Sequence, residues 1–329
     1  MNDLLKNQVC NLSTGTVVKG KWHHHAYRIV RKLGSGATGV VYLAESAKVL
    51  VALKISFNNM SVTSEVNVLR HFAKAHGKVL GPSLLDVDDW ESPLSTSPLS
   101  FYVMEYLKGE PFLTFVKKRG AEWTGILTLQ LLNDLHHLHE SGWVFGDLKP
   151  ENLIVTESPI KIRWLDVGGT TLQGRSIKEF TDFYDRGYWG LGTRKAEPSY
   201  DLFAVAMIMI NTAYPKRFAK QENGLFQLKQ IIESNQILKS YHHCLFKALT
   251  GKYNHALQMR ADLLRQISGQ PSKEPVGSKK ATHTQKTNPK KIQSRIAKRR
   301  KKRYHVLETI LLFLSLMVAY AMYVLIQTW

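Results

Sequence analysis

The spacing of apolar positions changes character along the chain. From Tyr27 to Tyr106, runs such as YRIVRKL, GVVYLAE and VLVALKIS are rich in β-branched residues and punctuated by glycine. This predicts strands, because such side chains suit a pleated, half-buried surface. One stretch among them, Ser64 to Ala75, predicts a helix. From Leu107 to Ile267 the apolar spacing becomes three and four residues, as in GILTLQLLNDLHHLHE and DLFAVAMIMINTAY, which predicts helices. The expected fold class is α+β with two lobes, a small β-rich N-lobe and a larger helical C-lobe.

Three segments flank this globular region, which is bounded at 25–267. Residues 1–24 carry little pattern, and His23-His24-His25 reads as a solvated strand entry rather than a metal motif. Residues 268–303 turn to Gln, Ser, Pro, Gly, Thr and Lys, a composition that supplies no core and predicts a flexible juxtamembrane linker. Residues 304–329 contain an uncharged apolar run from Ile310 to Ile326. With its flanks from Val306 to Trp329 it would make roughly 36 Å of helix, against a hydrocarbon core of about 30 Å. Tyr304, Tyr323 and Trp329 fall near its ends, and a dense Lys/Arg block precedes it. The expectation is one C-terminal transmembrane helix, a single-pass tail anchor in the cell membrane with the preceding chain on the cytoplasmic side.

Charge sharpens this division. Of a formal +19, Lys273 to Arg303 contributes +12, because it holds thirteen Lys/Arg and one acid, Glu274. The tract exceeds what membrane topology needs, so anionic lipid headgroups and the phosphates of nucleic acid are candidate partners. The residues concerned are Lys279, Lys280, Lys286, Lys290, Lys291, Arg295, Lys298, Arg299, Arg300, Lys301, Lys302 and Arg303. Aromatic residues are absent between Lys273 and Arg303, so any DNA binding is expected to be non-specific rather than base-reading. Two cysteines, Cys10 and Cys244, are too few for a disulfide framework.

Candidate chemistry lies in four short stretches. Gly34-Ser-Gly36-Ala-Thr-Gly39-Val-Val41 matches GxGxxGxV, and VVYLA continues as a strand, so a glycine-rich hairpin that lets backbone approach phosphate is expected rather than a dinucleotide turn. Lys54 follows in the apolar strand VALK, where a buried ammonium requires anions: ATP phosphates on one side and Glu65 on the other. Asp147, Lys149 and Asn152 fall within six residues, and Asp166-Val167-Gly168 comes after two more strand-like runs. Asp147 can orient a hydroxyl and take its proton, Lys149 can screen phosphate charge, and Asn152 with Asp166 can hold Mg²⁺ through oxygen, with Mn²⁺ as an alternative. Each residue alone has an ordinary structural explanation; their ordered occurrence together does not.

On these motifs the sequence resembles the bacterial Hanks-type Ser/Thr protein kinases, and among them the YabT-type kinases of spore-forming bacilli. The resemblance implies a bilobal kinase fold, use of ATP and Mg²⁺, and protein Ser/Thr substrates. It marks FYVMEYLKG as the hinge, with Met104 as gatekeeper and Glu105 and Leu107 as the backbone positions facing adenine. It also makes Thr193 the substrate-side threonine and Asp201 the helix aspartate that ties down the catalytic loop, with Gly168 closing the metal-binding motif. The departures are in FGDLKPEN, where Phe145-Gly146 replaces His-Arg, and in Val167, which replaces the Phe of DFG. Phe145, Val167 and Leu69 are expected to pack together, and the missing arginine implies activation without a docked activation-loop phosphate. Self-association for autophosphorylation, promoted by DNA on the basic arm, would fit. The rivals are a small-molecule kinase of the same fold and a membrane-tethered DNA-binding pseudokinase scaffold.

Overall fold

The computed structural model describes residues 3–269, except 37, 75–80, 94 and 96. The predicted basic arm and membrane span lie outside the described residues. Among the described residues no helix is long and apolar enough to cross a membrane.

The N-lobe begins with helix α1 (Asp3–Cys10) and strand β1 (Val17–Lys19), followed by β2 (Ala26–Ser35), β3 (Gly39–Ser46) and β4 (Val49–Ser56). Helix α2 (Asn59–Lys74) then precedes β5 (Leu84–Trp90) and β6 (Leu99–Glu105). The strands form one antiparallel sheet in the order β1-β2-β3-β4-β6-β5. Its two edges meet: Gly20 bridges Trp90, and the Lys21 N–H donates to Asp89 O at 2.8 Å. A Cβ on Gly20 would lie 2.2 Å from the Asp88 carboxylate, so a larger residue there would have to displace the group that holds Trp22 N and His23 N.

The segment before Tyr27, although it carries little pattern, contributes to the core of the lobe, since Val9 and Val18 are fully buried in one cluster with Tyr27, Ile29, Tyr42 and Phe101. The Tyr42 hydroxyl secures the turn after α1, donating to Val9 O at 2.6 Å and accepting from Leu12 N at 3.0 Å. Helix α2 starts five residues before the predicted Ser64, with the Asn58 side chain accepting from Met60 N at 2.9 Å. Its first turns lack a run of apolar residues at helical spacing, so the start is set by this cap and by tertiary packing.

The C-lobe is helical apart from short hairpins. Strand β7 (Glu110–Pro111), helices α3 (Phe112–Arg119) and α4 (Glu122–Glu140), and strand β8 (Trp143–Val144) lead into the catalytic loop. Strands β9 (Leu153–Glu157) and β10 (Ile160–Trp164) form a hairpin, and β11 (Thr171–Leu172) pairs with β8. Helices α5 (Arg186–Trp189), α6 (Pro198–Ala213), α7 (Gly224–Ser234), α8 (Gln236–Ser240), α9 (His242–Leu249) and α10 (Ala256–Ile267) complete the lobe. Residues Tyr200 to Asn211 of α6 are all buried, so this helix is apolar on every side and forms the centre of the core. Asp201 is the charged side chain in that run, and its burial explains why it must be fully hydrogen-bonded.

Candidate active site

The glycine-rich segment is the hairpin between β2 and β3. Gly34 pairs with Val41 and Ser35 with Val40, and Gly36 N donates to Gly39 O at 2.9 Å. A Cβ at Gly34 or Gly36 would meet nothing within 4 Å, leaving an open cradle. At Gly39 it would lie 2.3 Å from Ile55 O, so this glycine serves strand packing instead. Behind the hairpin, Ala52, Met104 and Leu153 are buried in one cluster with Leu33 and Val41 packed against it. Ala52 pairs with Met104 across the sheet, placing the predicted gatekeeper beside the lysine strand.

Lys54 is 5% exposed and donates to Glu65 Oε2 at 2.6 Å. Glu65, 3% exposed, sits in the middle of α2 rather than at its start, and accepts a second bond at 2.5 Å from the Tyr102 hydroxyl. Tyr102 is the cross-strand partner of Lys54 on β6. Burial first, and the Glu65 charge second, push the Tyr102 phenol well above its ordinary pKa, keeping it a neutral donor. Lys54 is also 4.0 Å from Asp166 Oδ1. The short connection between β4, ending at Ser56, and α2, starting at Asn59, brings Lys54 and Glu65 into this pair.

The catalytic loop is bound from beneath by Asp201. Its Oδ2 accepts from Phe145 N at 2.8 Å and faces His139 Nε2 at 2.8 Å, while Oδ1 accepts from Gly146 N at 3.0 Å. Gly146 has φ +84°, and a Cβ there would lie 2.7 Å from Gly169 O. Glycine is thus the residue this backbone accepts without strain. Phe145, Val167 and Leu69 are all buried in one cluster; Phe145 stacks edge-on with Trp164, and Val167 and Leu69 both close around Gly81.

Asp147 accepts from Lys149 Nζ and, at 3.1 Å, from the Thr181 hydroxyl, which itself accepts from Lys149 Nζ at 3.2 Å. Thr181, rather than the expected Thr193, is the threonine that meets Asp147 and Lys149. Thr193 is an exposed residue whose carbonyl accepts from Arg186 Nε at 2.6 Å. The difference arises because the chain after Thr181 folds back through α5. Asp185 caps that helix through Gly187 N and Tyr188 N and also holds Tyr200 and Arg194. Arg186 pairs with Glu197 at 2.8 Å, immediately before α6 begins. Nothing local in the sequence separates the two threonines.

The donor set suits a divalent cation. Asn152 donates its amide nitrogen to Asp147 O at 2.8 Å, so its amide oxygen is the group that would meet a cation. Asp166 is half-exposed toward the cleft, and Gly168 N donates to its Oδ1 at 2.9 Å. A further carboxyl, Glu179, is pushed up first by burial and then by the negative charges of Asp166, Asp147 and Glu65. Such a concentration of carboxylates favours a hard cation bound through oxygen.

At the predicted hinge, the Glu105 side chain is held by Arg163 and Ser83. It accepts from Arg163 at 3.0 Å and from Ser83 N and Oγ at 3.2 Å each. Leu107 follows in the hinge and is buried. A separate concavity of about 560 Å³ opens beside this contact, lined by residues including Glu105, Lys108, Glu157 and Arg163. None of Lys54, Asp147, Asn152 or Asp166 lines it.

A paired lysine and glutamate, a glycine hairpin and an Asp-Lys-Asn catalytic loop on a two-lobed scaffold define a phosphotransferase of the protein kinase type. The protein kinase domain pattern matches residues 27–303, and the chain belongs to that family as a serine/threonine-protein kinase. It is 48% identical over 334 residues to the serine/threonine-protein kinase YabT of Bacillus subtilis (strain 168), covering 98% of each chain. It is 28% identical over 172 residues to the serine/threonine-protein kinase PknG of Mycobacterium leprae, 49% of this chain and 21% of that one. The structure of vaccinia related kinase 3 matches with a TM-score of 0.59 over 83% of this chain and 97% of that chain, at 15% identity, a likeness of fold.

Proposed function

We propose that this chain transfers the γ-phosphate of ATP to serine or threonine hydroxyls of protein substrates, using Lys54, Asp147, Lys149, Asn152, Asp166 and Thr181. The observation that carries this reading is the joint arrangement of Asp147, Lys149 and Thr181 above the Asp201 clamp. ATP, bound with Mg²⁺, supplies the phosphoryl group. Lys54, held by Glu65, meets phosphate oxygens; Asn152 and Asp166 provide oxygen ligands for the metal. Asp147 orients the acceptor hydroxyl and takes its proton, while Lys149 offsets phosphate charge and Thr181 keeps both side chains in register.

Residues 304–329 are read as a single membrane-spanning segment, and the basic arm as a contact for anionic lipid and, non-specifically, for DNA. Support for both comes from apolar length and charge. DNA would raise the local concentration of chains and promote autophosphorylation between copies. The test incubates the full-length chain in detergent with labelled ATP, Mg²⁺ or Mn²⁺, and a generic basic protein, with and without DNA, beside Asp147→Asn. Transfer to serine and threonine that disappears in the variant is expected. Transfer only to sugars or antibiotics, or none at all, would replace this reading with the small-molecule kinase or the scaffold. Engagement of six to eight phosphates predicts a log–log salt slope of roughly −5 to −7, and a flat salt dependence rejects the DNA contact.

A further inference from the structure

Two of the three histidines just before β2, His23 and His25, face a specific carboxylate. His23 Nδ1 lies 2.7 Å from Asp86 Oδ1, and His25 Nδ1 lies 3.0 Å from Asp86 Oδ2. The two imidazoles come from the connection between β1 and β2, and the carboxylate comes from β5, the opposite edge of the sheet. We propose that His23, His25 and Asp86 form a site for a divalent transition-metal ion of the zinc class, which staples the two edges of the N-lobe sheet together.

Three features of the geometry point this way. The ligating atoms already converge within 4.8 Å of one another. Tetrahedral zinc bound at about 2.0–2.2 Å to nitrogen and oxygen needs ligand atoms roughly 3.3 Å apart, a spacing that rotation of the two exposed rings can reach from separations already within 4.8 Å, each ring then presenting a bare Nδ1. Second, the carboxylate is oriented from behind: the Tyr27 hydroxyl donates to Oδ2 at 2.5 Å and Val87 N to Oδ1 at 2.8 Å. Such outer hydrogen bonds fix a ligand before the metal arrives.

Third, the connection that presents the rings is itself pinned. Asp88 accepts from Trp22 N at 2.9 Å and His23 N at 2.8 Å, and Lys21 N–H bonds Asp89 O. Both rings remain more than half exposed, at 54% and 63% of the side chain, so an ion has access and water can complete its coordination. Imidazole with one carboxylate selects zinc, nickel or copper over magnesium, so the Mg²⁺ serving the cleft would not compete. A second cluster, His136, His137 and Glu140, lies within one turn of α4 and draws on a single element, which makes it the comparison site.

The full-length chain in detergent, free of ATP and phosphate, is titrated with ZnCl₂ against a zinc indicator dye. Melting temperature is followed in parallel, and the visible spectrum is recorded with CoCl₂. One equivalent is expected to bind at micromolar or lower concentration, to raise the melting temperature and to give a tetrahedral Co²⁺ band. His23→Gln and His25→Gln should each abolish all three signals while melting like the metal-free wild type, and Tyr27→Phe should weaken binding roughly 10-fold. His136→Ala should change nothing. Binding only at millimolar zinc, or binding that survives His25→Gln, or is lost in His136→Ala, overturns the proposal and leaves the three residues as plain ion pairs.

Discussion

Gly146 stands where the resemblance to kinases leads one to expect arginine, and its replacement by alanine tests what that residue does for the loop. At φ +84° an L-residue is in the left-handed region, which costs about 1–2 kcal/mol. The added Cβ would also stand 2.7 Å from Gly169 O and 3.4 Å from Ile177 Cδ1. The nearer atom is backbone and has no rotamer to change, so the loop or residue 169 must move, at a further cost on the order of 1–2 kcal/mol. A total near 3 kcal/mol corresponds to a fall in melting temperature of roughly 6–12 °C for a domain of this size. The same shift disturbs the Gly146 N–H bond to Asp201 and the adjacent Asp147, so turnover should fall by at least ~10-fold.

Gly142→Ala supplies the control, since Gly142 also has φ +84° but nothing within 4 Å of a Cβ. It should lose only the backbone term, about 1–2 kcal/mol. Urea unfolding and initial rates at saturating ATP measure both variants. A Gly146→Ala protein no less stable than Gly142→Ala, with unchanged turnover, refutes the steric argument. Gly146→Arg should be no better than alanine, because it carries the same Cβ; an active, stable arginine variant would be a second refutation.

Two further predictions follow from individual contacts. Thr181→Ala should lower kcat/KM by roughly 10- to 100-fold, the range for losing a hydrogen bond to a charged group, with partial recovery in Thr181→Ser; Thr193→Ala should stay within about twofold, and the reverse ranking in a peptide-kinase assay would reject the assignment. Burial alone would raise the Glu105 carboxyl, but Ser83 and Arg163 hold it below its ordinary value of 4.5. Its stabilising contribution is therefore present above about pH 4.5 and is lost as pH falls through the lowered value, so Glu105→Gln should be less stable than wild type at pH 6–7 and converge with it in acid, as followed by denaturation at stepped pH.

Much of this protein is legible in local pattern. Strands β2, β3 and β4, the Lys54 position, the Asp147-Lys149-Asn152 loop and the apolar α6 follow from residue type and spacing over fewer than a dozen positions. Such features survive reading because burial imposes a period on side chains, and phosphate chemistry demands charged groups at short fixed separations. Even the departure at Phe145-Gly146 is visible as a break in that order.

Tertiary structure alone decided which polar groups meet across long separations. Thr181 reaches Asp147 from 34 residues away, Tyr102 reaches Glu65 from 37, and His23 reaches Asp86 from 63. It also brought residues of the first 24 into the core and closed the sheet at Gly20 and Trp90. A polar contact of this kind leaves no periodic trace in the chain. It exists because the path of the intervening backbone, set by packing of the two cores, brings particular donors and acceptors within reach, and buried groups then pair rather than remain unsatisfied.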